Sequence, residues 1–163
     1  MKCGFYLLLS LLVVCQAAHA EESLCAGNEA IVFSCHIERK VISVCRPSGS
    51  PRKLTYRYGV PGRLELIYPG GGPQATGTFY TSSSPLFGGG VTTLAFTHAD
   101  YEYRIYSKVS RADSGERQEN RTPVFEDGLV ILRKGKQVRQ RACDDGGEGF
   151  REDIDWLPNR PNN

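Results

Sequence analysis

Val91-Thr92-Thr93-Leu94-Ala95-Phe96-Thr97, then His98-Ala99-Asp100, then Tyr101-Glu102-Tyr103-Arg104-Ile105-Tyr106-Ser107-Lys108 decide the fold class. Both arms are rich in β-branched and aromatic residues, and the second alternates with a period of two. Tyr101, Tyr103 and Ile105 fall on one face of a strand, and Glu102, Arg104 and Tyr106 on the other. Two such arms around a short polar turn make an antiparallel hairpin.

The same signature extends outward in both directions. Ala30 to His36 and Val41 to Cys45 predict a first hairpin around Glu38-Arg39-Lys40, with Ile31, Phe33 and Cys35 on one face. Lys53 to Tyr58 sets Leu54, Tyr56 and Tyr58 against Thr55 and Arg57, and Pro61-Gly62 turns it into Leu64 to Tyr68. Thr78 to Thr81 is a short strand between two loops, Pro69-Gly70-Gly71-Gly72-Pro73 and Ser82-Ser83-Ser84-Pro85. Residues 110 to 123 predict a long exposed loop, and Gly128 to Leu132 with Gln137 to Cys143 a last hairpin, where Gly135 supplies the positive φ of a tight turn. No helical period persists, beyond a short turn near Phe150 to Leu157. The expectation is an all-β, disulfide-bonded domain of about eight antiparallel strands, closed as a sandwich or small barrel because an open sheet leaves unpaired edges and a bare apolar face.

Ahead of this domain, Lys2, the apolar run Phe5 to Val14 and the small residues of Ala18-His19-Ala20 have the layout of a cleavable export signal ending at residue 20. The run is shorter than the ~20 apolar residues a membrane anchor needs. Val14 before Cys15 and Leu24 before Cys25 do not suit lipid attachment. Cleavage discards Cys3 and Cys15 and leaves Cys25, Cys35, Cys45 and Cys143, an even set in an oxidising compartment. Their spacings lack the short C-x-x-C pairs of a metal site, so two disulfides are expected. Three connectivities are open. Positions near Phe33 fall opposite Cys45 in the first hairpin, so Cys25 with Cys45 and Cys35 with Cys143 is one workable arrangement.

Without Lys2 the chain carries 19 Lys and Arg against 18 Asp and Glu, a balance that does not indicate a nucleic-acid partner. The charges are unevenly placed. Residues 144–163 hold six acidic residues and two arginines, leaving the body before them at plus five. The expected organisation is a signal at 1–20, one β-domain at 21–143, and an acidic, partly disordered tail at 144–163 on which Trp156 is a docking point.

Catalytic patterns are scarce. His36 and His98 remain after cleavage; His98 sits in a hairpin turn, and no Gly-x-Ser-x-Gly elbow occurs. Gly70 to Gly72 and Gly88 to Gly90 lack the Lys and Ser or Thr of a phosphate loop and are expected to be flexible turns. Asp144-Asp145-Gly146-Gly147-Glu148 lacks the alternating spacing of a calcium loop. No catalytic set, metal or cofactor is therefore assigned. Tyr101, Tyr103, Arg104 and Tyr106 are the candidate binding residues, set against the stronger reading of alternating tyrosines as sandwich core and half-buried edges. Asn120-Arg121-Thr122 has the form of a glycosylation sequon, but Pro123 follows it.

The segments Cys25-Ala26-Gly27-Asn28-Glu29, Val32-Phe33-Ser34-Cys35, Ile42-Ser43-Val44-Cys45 and Leu54-Thr55-Tyr56-Arg57-Tyr58-Gly59 resemble a group of uncharacterised exported bacterial proteins. The likeness continues more weakly through Tyr103 to Ser107 and the last hairpin. It implies an exported β-protein and carries no activity. In architecture the chain is also similar to periplasmic lysozyme inhibitors, which insert a Ser-Gly loop ending in Tyr into the enzyme's cleft. Ser48-Gly49-Ser50-Pro51 and Ser114-Gly115-Glu116-Arg117 both lack that Tyr. The functional expectation is a periplasmic or secreted, non-enzymatic binding module with an envelope or extracellular protein as partner, inhibition of a secreted or host enzyme such as lysozyme being one form of that role. A small-ligand or hydrolytic domain built on the tyrosines, and a structural envelope protein, are the alternatives.

Overall fold

The computed structural model describes residues 23–50, 52–72, 75–111 and 122–161. The export signal, Ser114-Gly115-Glu116-Arg117 and the sequon at Asn120 lie outside the described residues. Nine strands build two antiparallel sheets, and among the described residues there is no helix. The first sheet is β1 (Glu29–Ile37), β2 (Lys40–Pro47), β3 (Thr55–Val60) and β4 (Arg63–Tyr68), in that order. The second is β5 (Phe79–Leu86), β6 (Gly89–His98), β7 (Tyr101–Arg111), β8 (Pro123–Arg133) and β9 (Lys136–Ala142), again in chain order. Each strand pairs with its sequence neighbour, so local turns fix both sheets.

The inner faces meet in one core of Phe33, Cys35, Ile42, Val44, Leu54, Tyr56, Phe79, Leu94, Phe96, Ile105 and Leu129, all buried. β2 explains its own unbroken apolar run. Ile42 and Val44 face the core, while Val41, Ser43 and Cys45 are buried on the other side. The N-terminal segment covers that side: the Leu24 N–H donates to Ser43 Oγ at 2.8 Å, and Cys25 is bonded to Cys45. A bulge between Ile31 and Phe33 interrupts the alternation expected for β1. It buries both Val32 and Phe33 and leaves Ile31 as the register partner of Cys45, off the face it was expected to share with Phe33 and Cys35.

Two expected loops are strand. Ser82 to Pro85 belong to β5, paired with β6 through Leu86 and Gly89, and Ser82 is buried. Gly89 and Gly90 belong to β6, because a Cβ on Gly89 would sit 2.0 Å from the Val109 carbonyl oxygen of β7. Those glycines admit a close backbone approach where the sequence pattern suggested flexibility.

The second disulfide, Cys35 to Cys143, joins edge strand β1 to the end of edge strand β9 and closes one side of the sandwich. From there the acidic segment runs on as part of the body. The Arg151 N–H donates to Val32 O, Phe150 packs on Phe33 with ring centroids 5.4 Å apart, and Ile154 and Leu157 are buried in the core. The segment ends beside β5, where Thr81 N–H donates to Pro158 O, Arg160 N–H donates to Thr81 O, and Thr81 and Asn159 form a parallel bridge. The change of charge at residue 144 is thus not a structural boundary. Apolar Phe150, Ile154, Trp156 and Leu157 outweigh the acidic residues between them, and those point outward.

The N-terminal cover is fixed by one ion pair. Arg57 donates to Glu29 Oε2 and Oε1 at 2.5 and 3.0 Å and to Leu24 O at 3.2 Å, and the Ala26 N–H donates to Glu29 Oε2 at 2.7 Å. Burial works to raise the Glu29 pKa, but the Arg57 and Ala26 bonds outweigh it and hold the carboxyl below its ordinary range. A depressed folded-state pKa stabilises above the unfolded value and is lost as pH falls through the folded one. Arg57→Met is therefore expected to cost about 2–3 kcal/mol in neutral urea denaturation, the cost of stripping a mostly buried carboxylate of its partner. The gap from wild type should narrow on acidification. Replacing Cys35 and Cys143 together by Ala should cost about 3–5 kcal/mol by the chain-entropy estimate for so long a loop, read in the same experiment.

Candidate functional site

The register places the β1–β2, β3–β4, β6–β7 and β8–β9 turns at one end of the sandwich. Ile37 pairs with Lys40, Val41 with Gly59, His98 with Tyr101, and Tyr101 in turn with Arg133. The opposite end is covered by the C-terminal segment through Phe150, Ile154 and Leu157. At the uncovered end the sheets enclose a cavity of about 580 Å³, within the ~300–1,000 Å³ typical of small-molecule sites.

Its walls come from both sheets. Tyr56, Tyr58 and Leu66 face Tyr101, Tyr103 and Ile131, and the rim carries Glu38, Lys40, Glu65, His98, Arg139 and Arg141. Tyr56 and Tyr103 are also core residues, with centroids 6.1 Å apart and each packed on Phe96, at 4.9 and 5.0 Å. The cavity floor is therefore the rigid core itself. Burial raises the pKa of both phenols, Tyr56 most strongly, with a smaller electrostatic contribution from Tyr103 and Tyr58 at Tyr56 and from Tyr101 at Tyr103. Both are neutral hydrogen-bond donors, and neither hydroxyl has a hydrogen-bond partner among the described residues.

The rim is mostly self-neutralised. Lys40 Nζ lies 2.7 Å from Glu65 Oε2 and 5.1 Å above the Tyr58 ring, and Arg141 lies 3.9 Å from Glu38. The Lys40 pKa is raised, chiefly by the Glu65 bond. Arg139 has no carboxylate partner among the described residues.

Of the residues singled out from sequence, Tyr101, Tyr103 and His98 reach this cavity. Arg104 and Tyr106 do not, because the alternation of β7 sends them to the outer face of the second sheet. There Arg104 pairs with Glu102 at 2.5 Å, and the buried Tyr106 donates to Glu126 Oε1 at 2.9 Å. The four expected binding residues form no single site. Tyr56, Tyr58, Arg139 and Arg141 were missed. The alternation of Tyr56 and Tyr58 gave their common face, but which strands oppose them across the core is not a local property.

The remaining motifs serve the fold. Asp145 Oδ2 lies 2.9 Å from His36 Nδ1 and accepts from the His36 N–H, and Asp144 accepts from the Glu38 N–H, so the acidic run clasps the β1–β2 end. Among the described residues the two clusters of metal-ligand type, Cys25-Glu29-Cys45 and Cys35-Cys143-Asp145, have their sulfurs committed to disulfides. No helix among them is long and apolar enough to cross a membrane. The two disulfides indicate an oxidising, non-cytoplasmic compartment.

No family model, curated protein or solved structure matches this chain. An alkaline absorbance titration checks the state of the floor tyrosines: Tyr56→Phe should remove no ionisation step before the protein unfolds, because the buried Tyr56 hydroxyl stays protonated throughout.

Proposed function

We propose that this protein is a periplasmic or secreted binding module that holds a small apolar or aromatic group in the cavity between its sheets. The observation that carries this reading is the cavity itself, aromatic on its floor, charged at its mouth and backed by core residues. Such a site supplies apolar contact for affinity and a few polar groups for orientation. A ligand ring would find tyrosine faces at Tyr56, Tyr58 and Tyr103, arranged for tilted and stacked contacts.

Binding is favoured over turnover because the lining, among the described residues, is built of aromatic, aliphatic and charged side chains without serine, threonine or cysteine, and its two carboxylates are engaged by Lys40 and Arg141. Inhibition of another enzyme by a loop has less support. Ser48-Gly49-Ser50 is tied to its own strand ends by Ser48 N–H to Asn28 O and Ser50 N–H to Pro47 O, and lies on the β2–β3 connection, away from the cavity.

The test is fluorescence titration with phenylnaphthylamine, a neutral aromatic probe. Wild type should bind it saturably at one site. Leu66→Trp, which fills the cavity from a half-buried position, should weaken binding at least tenfold, about 1.4 kcal/mol, while the fold is retained by circular dichroism. Absence of saturable binding to wild type, or equal binding by the folded variant, would sink the proposal.

A further inference from the structure

We infer that the natural occupant of this cavity is an amphipathic organic anion, its aromatic or acyl body among the tyrosines and its carboxylate or sulfonate head on Arg139. The inference rests on the reading of the cavity as a ligand site and names the chemistry of the ligand.

Three observations converge on it. The first is the charge at the mouth. Lys40, Arg139 and Arg141 face Glu38 and Glu65, and both carboxylates are paired, with Lys40 at 2.7 Å and Arg141 at 3.9 Å. Among the described residues, Arg139 is the lining cation without a carboxylate partner. It pairs in register with Ile131, as Arg141 does with Leu129, so β9 presents both arginines on the face that carries the cavity wall. A guanidinium offers a planar fork of donors that fits the two oxygens of a carboxylate or sulfonate.

The second is the donor set inside. Tyr56 is 1% exposed, lines the cavity, and has no hydrogen-bond partner among the described residues. A phenol at the cavity wall gains by donating to an acceptor, and the described residues supply none. Tyr103, half-buried, stands beside it and likewise has no hydrogen-bond partner among the described residues. The site thus offers donors from floor to rim, with acceptors already committed. A cationic ligand would have no free carboxylate to meet and would face Arg139.

The third is the disposition of charge over the whole molecule. The turns around the mouth add Arg39, Arg63, Lys134 and Lys136, while Arg133 is engaged by Asp100 at 3.9 Å. Against these four, Asp144 and Asp145 are held at the β1–β2 end by the Glu38 and His36 N–H groups, and Glu148, Glu152, Asp153 and Asp155 lie farther along the segment, at the other end. An approaching anion is drawn to the open end and repelled from the covered one.

The experiment compares two probes with the same ring body, anilinonaphthalene sulfonate and the neutral phenylnaphthylamine, each titrated alone and in competition with the other. Wild type should bind the sulfonate about tenfold more tightly at low ionic strength, at the same single site, with the preference shrinking as salt is added. Arg139→Gln, at an exposed position, should weaken sulfonate binding about tenfold and abolish the preference. Arg133→Gln, which removes a cation of the same end that is paired and outside the lining, should retain the preference. Equal affinity of wild type for both probes, or a preference that survives in Arg139→Gln, overturns the inference while leaving the cavity reading intact. Failure of both probes to bind saturably overturns both.

Discussion

Phe96 is the ring on which the two sheets rest. It is fully buried, stacked against Tyr68 of the facing sheet at 4.3 Å and against Tyr103 of its own sheet at 5.0 Å, with Tyr56 and Phe79 packed at its flanks. Five aromatic rings from β3, β4, β5, β6 and β7 therefore share one contact surface. Each such pair adds roughly 0.5–1.5 kcal/mol to the apolar burial it brings. More important is the geometry, because rigid rings fix the separation of two sheets that have only one covalent connection between β4 and β5 besides the bridge at Cys143. Where the rings stop, toward the turns, the sheets remain held apart without side chains to fill the gap. The cavity is a direct result of the packing that stabilises the rest.

The strands were legible where the information is local. Alternation in Tyr101 to Ile105 and in Leu54 to Tyr58 told inside from outside correctly, and the short turns at Glu38-Arg39 and Lys134-Gly135 told which strands pair. Legibility failed where a residue answers to a distant neighbour. Ser82 to Ser84 look like a loop by composition, yet the backbone of β6 pairs with them and the C-terminal segment bonds to Thr81 just before them. Gly89 looks like a hinge, yet it is there because β7 passes too close for a side chain. The disulfide partners lay within reach of hairpin register, whereas the cavity required knowing which face of β3 opposes which face of β7. That is sheet-on-sheet packing, and no spacing in the chain encodes it.

The charge asymmetry gains meaning from the same geometry. In sequence, a basic body and an acidic final stretch suggest attraction between the two or none at all. In the fold the acidic stretch is fixed by apolar anchors, Phe150 on Phe33 and Leu157 in the core, and Glu148, Glu152, Asp153 and Asp155 are displayed at one pole as a result. The other pole stays net positive, because only Asp144 and Asp145 of that stretch reach it, at the β1–β2 end, against Arg39, Arg63, Lys134 and Lys136 on the turns there. A polar molecule with one open and one covered end presents only one of them to an anion.

The bridge between Cys35 and Cys143 also sets an order of events. Its partners are separated by 108 residues, so the first is in place long before the second is synthesised, and β2 to β9 must all exist before the bond can be made. Cys25 and Cys45, only 20 residues apart, have no such wait. During the interval Cys35 is a thiol on an unsealed strand edge, next to the surface that Arg151 and Phe150 later cover. Completion of this protein is thus marked chemically. The long bridge serves as a seal that records the arrival of the last strand.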